Sequence, residues 1–182
     1  GPLAERRADA AAALGVFAED LDAGAHGRMA ADAARVAAYE RAIARAVKGR
    51  VVLDLGTGPR AVLALLCARA GASRVVAVEV VPAAASLAKK AIAEAGFSDK
   101  IEVIVGHSAL VELPKVDVAV HEIVGNIATE EGVAAALADL QARPGVVDSG
   151  AAGWSLPRRV ETLAAPANLN VALPGGGAGR AP

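Results

Sequence analysis

The sequence predicts an α/β fold with a doubly wound, mostly parallel sheet and N-terminal capping helices. Short apolar runs rich in valine alternate with alanine-rich segments of helical pattern. Strands that are buried on both faces of a parallel sheet have such continuous apolar runs. Several helical segments also end at a glycine, which commonly terminates helices. With 182 residues the chain can form one domain with a sizeable core, built mainly from Ala, Val and Leu because only 2% of it is aromatic.

The predicted elements alternate along the chain after an N-terminal helical region. That region is alanine-rich over residues 5–47, and its second helix covers residues 30–47 before Gly49. The apolar runs predict strands at residues 50–55, 74–79, 101–105 and 116–123, with a further strand expected within residues 154–164. The intervening periodicity predicts helices at residues 61–70, 83–95 and 129–142.

The stretch VVLDLGTGPR, residues 51–60, predicts a binding site for a nucleotide-like ligand. An apolar strand leads into Gly56 and Gly58, which loosely fits the dinucleotide fingerprint. Asp54 argues against a dinucleotide, because its carboxylate would repel a pyrophosphate held at the carboxyl end of this strand. The sulfonium and ammonium of S-adenosylmethionine would instead attract it. Glu79 ends the second strand, where an acid can accept hydrogen bonds from ribose hydroxyls. S-adenosylmethionine is therefore the predicted cofactor, and a nicotinamide-dependent oxidoreductase fits the glycine spacing but not Asp54.

These motifs resemble motif I and post-I of class I methyltransferases and, over residues 26–166, the protein arginine methyltransferase family. HGRMAADAARVAAYERAI resembles the family's cofactor-covering helix, with His26, Met29, Arg35 and Tyr39 at the matching positions. The resemblance implies that Arg35 faces the cofactor carboxylate and that Met29 packs near the sulfonium. GHSALVELPKVDVAVHEIVG resembles the run from the third strand into the fourth, which implies cofactor contacts for Ser108 and Glu122.

Glu122 and Glu131 are the candidate catalytic residues. They match the two acids of the family's double-glutamate loop, which clamp the guanidinium of a substrate arginine. The residues alone also place Glu122 after an apolar strand, at the edge where open α/β sheets bind ligands. Two carboxylates can hold a planar guanidinium through paired hydrogen bonds. Glu131 is equally explained as an acid at a helix N-terminus.

The resemblance implies methylation of an arginine or guanidinium group of a protein or peptide, with S-adenosylhomocysteine as product. There are three alternatives. The substrate is a small guanidine or amine, the protein is a small-molecule N- or O-methyltransferase, or the chain is a truncated cofactor-binding fragment without activity. Several features differ from the family pattern. Ile123 and Val124 stand where the family has an aromatic residue and a methionine after the first loop glutamate. Arg60 replaces the third glycine and either crowds the cofactor or points away. Ala109 replaces the adenine-contacting acid, and His121 replaces a small polar residue.

The resemblance divides the chain into three regions. Residues 3–49 would cover the cofactor site, residues 50–166 would form the Rossmann-like domain, and the Gly/Pro-rich residues 167–182 would be an unstructured tail. The family's C-terminal barrel has no counterpart in this sequence.

Composition narrows the choice of partners and compartment. A formal net charge of −1 gives no electrostatic basis for binding nucleic acid or a membrane surface. No apolar run approaches the roughly 20 residues that a membrane span needs. Cys67 is the single cysteine, which fits a reducing, cytoplasmic location. The three histidines lack metal-ligand spacing, so no metal site is predicted. The oligomeric state stays open.

Overall fold

The computed structural model describes residues 32–125 and 130–166. Helices and strands alternate through these two ranges. In chain order they are α1 (Ala33–Ala46), β1 (Val51–Leu55), α2 (Val62–Arg69), β2 (Arg74–Glu79), α3 (Pro82–Glu94), β3 (Ile101–Val105), β4 (Val118–His121), α4 (Val133–Ala142) and β5 (Ser155–Leu156).

The strands form one sheet in the order β3-β2-β1-β4-β5, and every neighbouring pair is parallel. The chain moves outward from β1 to β3 and then crosses to β4 on the other side of β1. At the carboxyl end of β1, Leu55 lies opposite Val78 on one side and His121 on the other. Ligands of open α/β sheets bind outside such a switch point. The predicted fold class is confirmed, and all five described strands are parallel.

Side chains that alternate along β1 fill two cores, one on each face of the sheet. Val52 packs with α1, α2 and α3, in a cluster that includes Ile43 and Cys67. Leu53 packs on the opposite face with Leu140 of α4. Cys67 is fully buried, as the sequence predicts. The alternation places helices on both faces and leaves the carboxyl edge for the loops.

Several predicted boundaries are wrong at the site edge. Helix α4 begins at Val133 and not at residue 129, because Gly132 precedes it in the left-handed conformation with φ of 81°. Glu131 therefore lies before the helix and not in its first turn. Strand β4 ends at His121, and β5 is limited to Ser155–Leu156. The start of the predicted N-terminal region and the predicted tail at residues 167–182 lie outside the described residues. No helix in the described part of the chain is long and apolar enough to cross a membrane.

Candidate cofactor and acceptor site

The loop after β1 folds over the end of β2. The backbone N–H groups of Gly56 and Thr57 both donate to the carbonyl of Val78, at 3.0 and 3.1 Å. Gly56 and Gly58 have φ values of 70° and 66°, which only glycine adopts at little cost. A Cβ atom added at Gly56 would lie 2.8 Å from Cγ2 of Ile123. The loop is therefore a tight cradle between β1, β2 and the segment that follows β4.

Arg60 and Ala61 complete this loop. Ala61 is buried, and it forms the N-cap of α2 in the left-handed conformation with φ of 48°. Arg60, which replaces the third glycine of the family motif, is exposed. Exposure alone does not decide between the two expectations for Arg60, because Gly56 of the cradle is exposed as well.

Asp54 is fully buried under the loop. Its Oδ2 accepts a 2.7 Å hydrogen bond from the Thr57 hydroxyl, and its Oδ1 has no hydrogen-bond partner among the described residues. Burial raises the pKa of Asp54 to about 6; the Thr57 bond and the main-chain N–H of Ala64 act against this, and the charge of Glu79 adds to it. A fully buried carboxylate that accepts so few hydrogen bonds is costly unless a cation comes close. This environment fits a cationic ligand.

Glu79 connects three loops at the same edge. Its Oε2 accepts from the backbone N–H of Gly58 and its Oε1 from that of Val81, both at 2.9 Å. Its own carbonyl accepts from the N–H of Gly106, at 2.8 Å, where the next loop leaves β3. Each carboxylate oxygen can accept a further hydrogen bond, so Glu79 keeps capacity for ribose hydroxyls.

The loop after β3 contains Ser108 and is closed by His107. The carbonyl of His107 accepts from the backbone N–H groups of Leu110 and Val111, at 2.8 and 3.2 Å. Its ring Nδ1 accepts from the N–H of Ala109, at 3.2 Å. Desolvation lowers the pKa of His107, which favours the neutral ring that this last bond requires. Residues 107–111, here called the β3 loop, form a compact turn.

Arg143, a residue that the sequence reasoning missed, binds the β3 loop from the end of α4, whose Leu140 lies in the same core cluster as Val111 of the loop. It follows α4 directly, and its Nη1 and Nη2 donate to the carbonyls of Ser108 and Val111 at 2.7 and 2.6 Å. Its Nη1 also lies 3.5 Å from Oδ2 of Asp139, one helical turn earlier. The sequence contained one indication of this contact, an Asp139–Arg143 pair four residues apart. Such a pair usually stabilises only the surface of a helix.

Helix α1 contacts the end of β4 through two side chains one turn apart. Arg35 Nη1 donates to Glu122 Oε1 at 2.9 Å. The Tyr39 hydroxyl donates to the His121 carbonyl, also at 2.9 Å. Burial raises the pKa of Tyr39 above its usual value, and the charge of Glu122 adds to this shift. The capping helix is thus attached to the strand that carries the candidate catalytic acid. Met29 and His26 lie outside the described residues.

His121 is buried at the end of β4. Its Nε2 lies 3.2 Å from the Ser155 hydroxyl, which donates to the carbonyl of Pro157. Its Nδ1 has no hydrogen-bond partner in the described ranges. Burial lowers the pKa of His121 to about 4, so the ring is neutral at pH 7. It connects β4 to β5 and is a weak proton acceptor.

The segment after Glu122 returns toward the sheet. Gly125 has a φ of 70°, and a Cβ atom added there would lie 2.7 Å from both Cβ and Oε2 of Glu130. The chain has therefore come back to Gly125 by residue 130, and the half-buried Glu131 follows. The convergence of Glu131 on Glu122 stays a prediction, since residues 126–129 lie between the described ranges.

The cradle, the buried Asp54 beneath it and Glu79 at the end of the next strand lie together at the carboxyl edge of the sheet, beside the switch point. The family model described as "Ribosomal protein L11 methyltransferase (PrmA)" matches residues 30–147. The chain therefore belongs to this family of class I S-adenosylmethionine-dependent methyltransferases. Its cofactor is S-adenosylmethionine, with S-adenosylhomocysteine as product.

Several curated relatives and solved structures that the chain matches carry the name of protein arginine methyltransferases. Protein arginine N-methyltransferase 1.1 of Arabidopsis thaliana is 40% identical over 107 residues, which are 56% of this chain and 27% of that protein. Protein arginine N-methyltransferase 6 of Danio rerio is 36% identical over 150 residues, 79% of this chain and 40% of that protein. The Trypanosoma brucei PRMT1 enzyme–prozyme complex with AdoHcy superposes with a TM-score of 0.61 at 31% identity, covering 69% of this chain and 39% of that one. The chain thus spans well under half the length of these relatives.

Proposed function

We propose that this domain transfers a methyl group to a guanidinium nitrogen of an arginine in a protein or peptide. The observation that carries the proposal is the ion pair between Glu122 and Arg35, 2.9 Å long, at the sheet edge. The Glu122 carboxylate already binds a guanidinium group there and is mostly shielded from water, with 18% of its side chain exposed. A carboxylate has about four lone-pair positions, so Glu122 can bind a substrate guanidinium by charge-assisted hydrogen bonds in addition to the contacts that it already makes.

The residues of the site then have distinct roles. Gly56 and Gly58 let the ligand approach the backbone, and Glu79 accepts from the ribose. Asp54 supplies the negative potential that favours a cation. Bound S-adenosylmethionine supplies an electrophilic methyl group. Glu122, with Glu131 beside it, orients the acceptor nitrogen and stabilises its positive charge, a contribution made by positioning and electrostatics.

Three further contacts complete the proposed cofactor site. Arg35 has five N–H donors, so it can bind a cofactor carboxylate without releasing Glu122. Ser108 would lie against the adenine at the β3 loop, and Met29 would cover the sulfonium. The names of the relatives support a protein or peptide acceptor. The proposal also includes a cytoplasmic location and no nucleic-acid or membrane partner, which the near-neutral charge supports.

A methyl-transfer assay on a peptide with one arginine tests the proposal, with mass spectrometry as readout. Glu122→Gln removes the charge that holds the guanidinium, so transfer should fall at least about 100-fold. The matched control is Glu112→Gln, the same change at an exposed position before β4. Affinity for S-adenosylhomocysteine, measured by calorimetry, should stay within about threefold in Glu112→Gln. In Glu122→Gln it should fall by less than about tenfold, so that the loss of transfer exceeds the loss of cofactor binding.

Two outcomes would contradict this function. Equal transfer to a peptide in which lysine replaces the arginine would remove the guanidinium specificity. Full activity in Glu122→Gln would remove Glu122 from the acceptor site. Neither result would alter the assignment of the chain to the methyltransferases.

A further inference from the structure

We propose that Arg143 is a positioning residue for recognition of the cofactor's adenine, acting through the β3 loop. The inference rests on the cofactor site of the proposed function and adds to it the residue that directly follows α4. Arg143 does not touch the cofactor in this account. It fixes the main-chain groups that do.

The guanidinium of Arg143 spans the β3 loop from one end to the other. One nitrogen binds the carbonyl of Ser108 and the other that of Val111, at 2.7 and 2.6 Å. Charge-assisted bonds from a rigid planar fork fix the relative positions of the two carbonyls more strictly than a single bond can. With 16% of the Arg143 side chain exposed, these bonds are largely shielded from water.

The β3 loop is also joined to the ribose side of the site. The N–H of Gly106, directly before the loop, donates to the carbonyl of Glu79 at 2.8 Å. A Cβ atom at Gly106 would lie 2.6 Å from Cγ1 of Val111, so the loop folds tightly back on its own entrance. A base attached to a ribose held by Glu79 would meet this loop first.

Because residue 109 is an alanine, recognition of the base depends on where the main chain of the β3 loop lies. Ala109 stands where the related family has an acid that contacts adenine, and alanine offers no side-chain acceptor. With Ser108 against the adenine, the base would then be recognised mainly by peptide groups of the loop and by apolar contact. Peptide groups discriminate between bases only when they are held in fixed positions, and Arg143 supplies that constraint.

A purely local role for Arg143 explains less. As the C-cap residue of α4, a cation is favourable near the helix carbonyls. A capping side chain would bond the carbonyls of its own helix. The two carbonyls that Arg143 binds lie 35 and 32 residues away in sequence. Its longer-range contacts therefore serve the β3 loop.

The test compares binding of S-adenosylhomocysteine and S-inosyl-L-homocysteine to the 182-residue chain by calorimetry. The two ligands differ only at the base, so the ratio of their dissociation constants reports base recognition and is insensitive to the folded fraction. We expect a ratio of at least about tenfold in the parent chain, since a site built to hydrogen-bond one group rejects its analogue. Arg143→Gln should reduce the ratio below about threefold, because the fork and its charge are both lost.

Arg143→Lys is the second variant, which keeps the positive charge but replaces the fork with a single point of donation. It should also lower the ratio of the two dissociation constants. If Arg143→Gln does not fold, this variant alone tests the role of Arg143. Arg74→Gln is the matched control, because it removes an arginine whose ion pair with Glu102 lies on the exposed edge of the sheet. The control should keep the parent ratio.

The outcomes separate this inference from the proposed function. Failure of the parent chain to bind S-adenosylhomocysteine would overturn both. Tight binding with an unchanged ratio in both Arg143 variants would overturn only the role of Arg143. Equally weakened binding of the two ligands would also overturn it, because Arg143 would then support the fold and not the recognition of the base.

Discussion

The shape of the cofactor cradle depends on Gly56, whose positive φ and lack of a side chain are both required. Gly56→Ala should cost about 1–2 kcal/mol for the left-handed backbone, together with the contact of its Cβ with Ile123. Gly49→Ala is a matched control, because Gly49 has a φ of 73° and a Cβ atom there would meet no atom within 4 Å. Urea unfolding should show Gly56→Ala as the more destabilised variant. S-adenosylhomocysteine affinity should fall at least about tenfold in Gly56→Ala alone; equal affinities in the two variants would contradict the cradle.

Asp54 should make the ligand-free chain less stable as the pH rises. Its carboxyl binds a proton more tightly in the folded state, with a pKa raised by burial from 3.8 to about 6. The folded state therefore loses stability as the pH rises from about 4 to 6, on the order of 3 kcal/mol in total. Asp54→Asn has no such charge, so it should be more stable than the parent at pH 7.5 and gain little at pH 4.

Chemical unfolding at the two pH values measures this effect, and Asp99→Asn, the same change at an exposed position, is the control. Asp54→Asn should also weaken S-adenosylmethionine binding, because the negative potential that favours the sulfonium is lost. A variant that was destabilised at pH 7.5, or that bound S-adenosylmethionine as tightly as the parent, would contradict the role of Asp54. A stability cost retained at a ligand site is typical of residues kept for binding.

Among the elements, α1 matters most for the acceptor side, because it holds the end of β4 at two points. Tyr39→Phe removes the hydroxyl that donates to the His121 carbonyl and leaves that carbonyl without this partner. The expected loss is about 1–2 kcal/mol of unfolding free energy. Ser86→Ala is the control, because it removes a hydroxyl that binds the Pro82 carbonyl at an exposed position of α3. Comparable stability losses in the two variants would show that the Tyr39 contact is no more than a surface bond.

The sequence predicted elements well where a single physical preference dominated. The runs at β1, β2 and β3 are apolar and bounded by glycine or charge, and their predicted bounds differ from the observed ones by at most one residue. Helix α4 was placed too early because residue 132, a glycine, can adopt a positive φ that no helical periodicity reveals. Strand β5 is short because its pairing with β4 ends at Leu156.

The positions of the candidate site residues were predictable when they stood in a motif or at a strand end. Asp54, Glu79 and Glu122 come at the carboxyl ends of apolar runs, and the structure places all three at one edge. The contacts of Arg143 and Tyr39 were not predictable, because both donate to main-chain carbonyls far away in sequence. A carbonyl acceptor exists at every position, so such contacts leave no trace in residue types.

At the scale of the whole molecule, the two edges of the sheet differ in the residues and loops that they carry. The glycine cradle, Glu79 and the β3 loop lie at the carboxyl edge. At the amino edge a cavity of about 220 Å³ is lined by residues of both charges, and Asp117 there accepts from the N–H of Val51. One measurement of amide hydrogen exchange can therefore locate the ligand, because the loops at the amino edge serve as an internal control for those at the carboxyl edge.

We expect saturating S-adenosylhomocysteine to slow amide hydrogen exchange at residues 55–61, 79–81 and 106–111, with residues 148–152 at the amino edge unchanged. Loop amides exchange through local opening, so a ligand protects the loops that it holds and not those that it does not touch. Amides deep in the strands exchange through global unfolding, and they should slow together by the binding free energy, about 2.7 kcal/mol at 100 times the dissociation constant. Peptide-level mass spectrometry with and without ligand separates the two effects. Protection of the amino-edge loops equal to that of the carboxyl-edge loops would move the cofactor away from the switch point, and a result with NADH that matched the S-adenosylhomocysteine pattern would contradict the argument from Asp54.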